Sequence, residues 1–333
     1  MEEMSPQAPP SGDSRRKRRR QSTLSAESQR ELGHMRTRRG TGSTSFVGSG
    51  SGIHFAQTVR HAFAQNSLKQ RSVEAVDEEL VPGEDDRLHY QNPPSSLWHG
   101  DELALEPEGS EVANAISFDD LVRWSRPYFD SWHPPFPFLH APTVLGVMEN
   151  VSMRGLSSLS HTDVVVVRSI MSISLADRRQ LPKESVRPVL AHLVFRTIDD
   201  ALCALQPSIL QPSSLAGLQA VLAIQLFLIS MLRLNAASRL GGLIVRMAFH
   251  LGLHRCPSRF SQFSAADNEI RRRVFWSIYC LERYLSQSLG LPLDLKDDDL
   301  DVCTPGSEHH SLPTNGSASN FTESNYGKSV YGF

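Results

Sequence analysis

Four cysteines are the first residues to question for chemistry: Cys203, Cys256, Cys280 and Cys303. No two of them form a C-x-x-C pair, so the framework of a zinc ribbon or zinc finger is missing and no metal ligand is assigned. Each lies in or beside an apolar stretch and reads as a small buried hydrophobe in a reducing compartment. His309 and His310 stand near Cys303, but in a polar segment, and receive no site. The run DLKDDDLD, Asp294–Asp301, is dense in carboxylates. A calcium loop needs alternating ligands around a glycine and a terminal acidic ligand. That pattern is absent, so the run reads as an exposed acidic turn. Six consecutive cations, Arg15, Arg16, Lys17, Arg18, Arg19 and Arg20, suit an import-receptor groove or a phosphate backbone. Phosphate attraction gives affinity without reading bases. The sequence holds no G-x-S-x-G, no phosphate-cradling glycine loop, no H-E-x-x-H and no dinucleotide fingerprint. His140 and His254 flank apolar helix ends and read as structural. No catalytic residue and no cofactor site is expected.

The net charge of −2 hides a strong asymmetry. Arg15–Arg39 holds ten Lys/Arg against two Glu, and Glu74–Glu111 holds twelve Asp/Glu against one Arg. Both stretches are poor in apolar residues and cannot bury enough surface to offset their ordering entropy. Residues 1–115 therefore read as a basic-then-acidic, largely disordered region. Two helical islands are expected within it, Ser25–Met35 and Ile53–Ala64. Residues 306–333, rich in Ser, Asn and Gly, read as a disordered tail. The first fourteen residues carry no apolar run, so no signal peptide is expected.

Residues 116–305 read as an all-α domain, an irregular multi-helix regulatory architecture. Ser117 with Asp120, and Ser264 with Asp267, read as capping boxes. Leu121, Trp124, Tyr128 and Trp132 recur at helical spacing, with Pro127 expected to kink or end that helix. Further helices are expected over 144–153, 163–178, 184–205, 214–232, 236–253 and 264–289. Leu215–Leu232 is nearly as long as a membrane span, but Gln219, Gln225 and Ser230 interrupt it. It reads as a central helix buried on all sides, and no membrane partner is expected.

One stretch, ASRLGGLIVRMAFHLGLHRCPS, Ala237–Ser258, closely resembles a hallmark of the fungal-specific transcription factor domain. That domain is the middle regulatory region of fungal six-cysteine zinc-cluster activators. The resemblance is carried by Arg246, Met247, Ala248, Leu251, Gly252, Leu253, His254 and Arg255. The next family block appears as Arg271, Arg272, Arg273 and Trp276, then Arg283, Ser286, Leu289, Gly290 and Pro292, with Asp299, Asp301 and Pro305 in the acidic turn. YFDSWHPPFPFLHAPT resembles an upstream family motif, and FVGSGSGIHF resembles a short motif that often precedes the domain. Glu282 stands where the family usually has Asp, and Leu291 where it usually has Arg or another polar residue. The resemblance implies a non-catalytic, nuclear regulatory domain with structural roles for these motif residues. It also implies co-regulators or homologous regulators as partners and admits dimerisation. Relatives bind DNA through two zinc ions in an N-terminal cluster. Those cysteines are missing here, so no zinc and only non-specific DNA contact are expected. The family domain also continues beyond the acidic turn. The expectation is therefore an internal fragment, or else a short paralogue that antagonises full-length relatives. Without further helices, part of the apolar surface is expected to face water.

Local physics agrees with these motifs. Gly252 falls where a helix ending at Leu251 needs a positive-φ cap. Arg271–Arg273 lie at a helix start, where the macrodipole disfavours cations, so carboxylates of the Asp297–Asp301 turn are expected to hold them. For Arg15–Arg20 the test is direct. Replacing all six by alanine in a fluorescent fusion too large to diffuse through pores should move the protein from nucleus to cytoplasm. An unchanged nuclear signal would reject the import role.

Overall fold

The segment Leu215–Ser230 has no polar face, and the fold is arranged around that fact. In the computed structural model, which describes residues 34–37, 44–67, 96–104, 116–179, 188–305 and 310, this segment is the central helix. The helices are α1 (Gly52–Ser67), α2 (Phe118–Pro127), α3 (Ala141–Arg154), α4 (His161–Arg178), α5 (Ile198–Cys203), α6 (Gln206–Leu210), α7 (Leu215–Ser230), α8 (Leu234–His250) and α9 (Ala265–Leu289). Four short strands accompany them: β1 (His34–Thr37) with β2 (Thr44–Val47), antiparallel, and β3 (Leu103–Ala104) with β4 (Val189–Leu190), parallel. The all-α reading is borne out.

α7 packs between α4 and α8, and α9 packs on the outer side of α8. Every residue from Ala220 to Ile229 is buried. Ser214 caps the helix by accepting the Gly217 N–H at 3.0 Å. The polar interruption at Gln225 is satisfied inside the core, where its amide donates to the Ala237 carbonyl of α8 at 3.0 Å. Gly241 leaves room for it, since a Cβ there would lie 3.2 Å from the amide nitrogen. The expectation of a central helix buried on all sides is met from Ala220 to Ile229, where neighbours within the described residues enclose it.

α4 shows how buried serines supplement backbone pairing in the elements packed on it. Pro127 has no N–H to donate, and α2 passes there into a π-helical turn, Tyr128–Trp132. The Tyr128 N–H is taken by the Ser174 hydroxyl at 3.2 Å, and the turn closes through the His133 N–H to the Tyr128 carbonyl at 2.9 Å. Ser172 likewise accepts the Phe195 N–H at 2.9 Å.

Three expectations need correction. The helix over 184–205 is not continuous. Residues 180–187 lie outside the described set, 189–190 form a strand, and a new helix begins only after Thr197, whose hydroxyl accepts the Asp200 N–H at 3.0 Å. The backbone groups that a helix would pair internally are held from outside. Arg168 binds the Val194 carbonyl at 2.8 Å and both oxygens of Asp200, and the Trp98 indole donates to the Phe195 carbonyl at 2.7 Å. Met35, expected at a helix end, lies in strand β1. Ser117 begins α2, but its hydroxyl makes no cap bond. The second expected box, Ser264 with Asp267, is formed in both directions.

The core reaches back before residue 116. Leu97 donates to the Arg196 carbonyl at 2.9 Å, Trp98 is buried, and Arg179 grips both carboxylate oxygens of Glu102 while lying over the Trp98 ring. Farther back, Gly48 meets the end of α9. Its N–H donates to the Leu289 carbonyl at 3.3 Å, and a Cβ on Gly48 would sit 1.8 Å from the Gly290 oxygen. α1, which covers the expected Ile53–Ala64 helix, packs against α9. Arg15–Arg20 and the 311–333 tail lie outside the described residues, as does most of the acidic stretch.

One titration is built into this packing. His133 is pushed down to about 4, first by burial and then by the nearby charges of Arg273 and His140. An unfolded histidine takes its proton near 6.5. Below that pH the unfolded chain therefore binds more protons than the folded one. Stability from this group is complete above pH 6.5, falls as pH drops toward 4, and is level below it. The total is at most about 3 kcal/mol. Urea midpoints measured between pH 6.5 and 4.5 should fall with pH, and the fall should be shallower in His133→Leu. Parallel curves would rule out this origin.

Candidate functional site: the acidic turn and its arginine clamp

α8 and α9 are joined so that the two motif blocks meet around one turn. α8 ends at His250, and Gly252 adopts φ 68°. The Leu253 N–H then reaches the Ala248 carbonyl at 2.9 Å, which satisfies a carbonyl the helix end would leave unpaired. Met247, Ala248 and Leu253 are buried, whereas Arg246 is exposed on the outer face. His254 stands edge-on to the Phe249 ring at 5.1 Å. Burial, followed by the Arg255 charge, holds its imidazole below its usual value.

α9 closes the same way. Gly290 is left-handed at φ 68°, and the Leu291 N–H returns to the Ser286 carbonyl at 2.9 Å. The Pro292 carbonyl accepts the Ser286 hydroxyl at 3.4 Å. The chain then turns over α9 as Asp294–Asp301, with a 3-10 turn at Asp297–Asp299.

Glu282 anchors this turn from inside. Its carboxylate is buried, accepts the Asp294 N–H at 2.7 Å and the Ser286 hydroxyl at 3.2 Å, and pairs with Arg283 at 2.8 Å. Arg283 extends the chain of charges outward. It donates to the Leu295 carbonyl at 3.3 Å and to Asp297, and it stacks 3.5 Å above the Tyr279 ring. Tyr279 donates to the same Asp297 oxygen at 3.1 Å. At the other end, Asp301 accepts the Cys256 N–H at 2.7 Å, pairs with Arg259 at 2.8 Å, and donates its own N–H to the His254 carbonyl at 3.2 Å. Trp276 donates to the Cys303 carbonyl at 2.9 Å.

The arginines expected to reach the turn do not. Arg271 donates to the Leu251 carbonyl at 3.1 Å and lies over the Phe263 ring at 4.0 Å. Arg272 and Arg273 both bind Glu269, at 3.0 and 2.8 Å, one turn before them. Burial pushes the Glu269 carboxyl up, but its bonds from Arg273 and Arg272 outweigh that and leave it lowered. Arg283 and Arg259 are the turn's real partners. The physical reason is register: Arg271–Arg273 face the α8 end and the first turn of α9, and the acidic turn runs over the helix's second half.

Two further features were not foreseen. A cleft of about 340 Å³ opens between α3, α4, α7 and the start of α9, lined by Val144, Val147, Val166, Leu215, Gln219 and Ile270. Both of its carboxylates, Asp163 and Asp267, are engaged with the capping serines Ser160 and Ser264. Second, the Cys256 and Cys303 thiols, 47 residues apart, lie 3.5 Å from each other with His310 beside them. Burial pushes the Cys256 thiol up, but hydrogen bonds with Cys303 and Ser258 together bring it below its usual value.

The fold and this cluster define a helical scaffold in which Gly252, Leu253, Trp276, Arg283 and Gly290 lie at the join of two helices and the acidic turn. Among the described residues no helix is long and apolar enough to cross a membrane. The profile described as "Fungal specific transcription factor domain" matches residues 126–329. The chain belongs to that family. It is 35% identical over 314 residues to the "Probable transcription factor FUP6" of Fusarium proliferatum, a match covering 85% of this chain and 42% of that protein. It is 27% identical over 297 residues to the "Transcriptional activator protein acu-15" of Neurospora crassa, covering 86% of this chain and 27% of that protein. A third relative, the "Negative regulator of pleiotropic drug resistance STB5" of Candida glabrata, is 23% identical over 246 residues, covering 69% and 23%. The chain thus spans less than half the length of these relatives. No solved structure matches.

Glu282 is the residue whose loss should open the site. Glu282→Ala leaves Arg283 half-paired and the Asp294 N–H without its acceptor, a loss of roughly 3–5 kcal/mol. Asp298→Ala, on the exposed rim, should stay within about 0.5 kcal/mol. Denaturant unfolding of both variants checks this, and equal midpoints would show that the buried carboxylate does not anchor the turn.

Proposed function

We propose that this chain is the regulatory domain of a fungal transcription regulator, acting on RNA polymerase II genes through protein or small-molecule contacts, not by reading DNA. One observation carries the reading. Arg283 turns inward to the buried Glu282 and Arg259 is neutralised at the surface by Asp301, while Asp297, Asp298 and Asp299 face solvent. An outward acidic rim repels a phosphate backbone and suits basic protein surfaces. The cleft beside α3 is of the size that small effectors fill. Its two carboxylates are already bound as helix caps and His140 at its edge is hydrogen-bonded to Thr143 at 2.8 Å, local structural contacts that favour a non-catalytic role.

In the same reading the protein works in the nucleus, Arg15–Arg20 serve import, and any DNA contact made by this chain is non-specific. The partners are transcriptional co-regulators or homologous regulators. The relatives' names include an activator and a negative regulator, so family membership leaves the direction of control to be measured.

The test is to fuse the chain to an unrelated DNA-binding domain and place that domain's site before a reporter gene. Reporter output should change several-fold, up or down, relative to the DNA-binding domain alone. The 333-residue chain by itself should bind DNA without sequence preference and lose that binding steeply between 50 and about 200 mM salt. A fusion that is nuclear, stable and without effect on the reporter would reject the proposal, and so would a sequence-specific footprint made by the chain alone.

A further inference from the structure

We infer that Cys256, Cys303 and His310 form a binding site for one borderline-soft divalent cation of the zinc type, separate from the N-terminal cluster by which relatives bind zinc. The two thiol sulfurs are 3.5 Å apart, and His310 Nδ1 is 3.1 Å from the Cys303 sulfur. All three donor atoms lie within 4.8 Å of one another. Zinc bonds of about 2.3 Å to sulfur and 2.0–2.1 Å to nitrogen, at tetrahedral angles, set ligand atoms roughly 3.3–3.8 Å apart. Two of the three separations therefore lie close to those of such a tetrahedral face, and the third, within 4.8 Å, can close on the ion by rotation of the partly exposed imidazole. Two thiolates and an imidazole select a zinc-like ion over magnesium or calcium, which prefer oxygen.

The surroundings already hold the ligands in place. The Cys256 N–H is fixed by Asp301 and the Cys303 carbonyl by the Trp276 indole. Both cysteines are buried, which protects the sulfurs, and the partly exposed His310 leaves a side open for a fourth ligand such as water. Without an ion, Arg259 donates to His310 Nε2 at 2.8 Å, so Nδ1 carries the imidazole proton and faces the Cys303 sulfur. On binding, the ion replaces the two thiol protons, which pass to the buffer. The imidazole proton moves from Nδ1 to Nε2 by exchange with water, and Arg259 withdraws to Asp301, with which it already pairs. The charge balances as two thiolates against one dication. The bound ion would tie the segment after α8 to the end of the acidic turn, adding stability that grows with free ion.

The experiment uses the full 333-residue chain carrying Cys203→Ser and Cys280→Ser, reduced and stripped with chelator, then given zinc, with cobalt as an optical probe. The expected result is one zinc per chain after desalting, a thiolate-to-cobalt charge-transfer band, and a melting temperature that rises with zinc. Cys256→Ser or Cys303→Ser should abolish retention. His310→Ala, at a partly exposed position that leaves the fold intact, should weaken affinity by on the order of 10–100-fold, as judged from losses of that size at metal-site partners. A folded, reduced chain that takes up no zinc would overturn the proposal. So would zinc retention unchanged in Cys256→Ser, or a Cys256–Cys303 disulfide whose reduction yields thiols that bind no ion.

Discussion

A helix without a polar face persists in water only when other elements cover it on every side. α7 is such a helix, and the chain on either side of it is arranged to supply the cover. α4 and α8 take the two broadest faces, and α5 and α6 pack against it from the sequence just before it. The burial is close to complete from Ala220 to Ile229, and the one amide inside that stretch is paired across to α8. The link from α7 to α8 is short enough to force Leu232 into φ 56°, a conformation that costs a non-glycine residue about 1 kcal/mol or more. That strain is held by the packing on both sides and not by the turn's own preference. The core's continuity is what makes a tight reversal affordable at this point.

Around this core the charged residues divide by depth. Glu282 is buried and fully bonded, Arg283 bridges it to the surface, and Asp297 stands at the rim. A buried carboxylate gives specificity to a turn that has little apolar surface of its own, because another path for residues 291–301 would take away the Asp294 N–H that one of its oxygens accepts. The shallow pairs, such as Arg126 with Asp130, contribute little by comparison, since water screens both partners. Of the motif residues, Gly252, Trp276, Arg283 and Gly290 meet at this join, whereas Arg246 lies on the exposed outer face.

Much of this was legible in the sequence where a short-range rule applied. The helical period locates α3, α4, α7, α8 and α9, the Ser264 box marks a helix start, and Gly252 marks a helix end. The misses are long-range. The 184–205 segment has a helical apolar period, yet its backbone is held by Arg168, Ser172 and Trp98, residues 20 to 100 positions away, and no local pattern announces them. The role of Trp98 was hidden for the same reason: the stretch around it is too polar to be read as part of a core. Arg271–Arg273, cations near a helix start, do need partners, but helix register gives Arg272 and Arg273 to Glu269 and not to the acidic turn. Cys256 and Cys303 carry no spacing signature, and only the fold brings them together.

The end of α9 is where these separate devices converge. Gly48 docks against Gly290 with a separation that admits no side chain on either, the acidic turn leaves from the next residues, and α1 lies along α9. A backbone contact of this kind has little freedom to adjust, because neither partner can change rotamer to relieve a shift. Movement of the turn must then be shared by the Gly48 contact or absorbed by the bonds from Glu282. The second route requires breaking a 2.7 Å hydrogen bond to a buried carboxylate, and the first only a single long hydrogen bond at 3.3 Å. The weaker link is thus the one toward α1. On this physical ordering, displacement of the acidic turn loosens the segment that connects the basic and acidic N-terminal stretches to the domain before it disturbs the helical core.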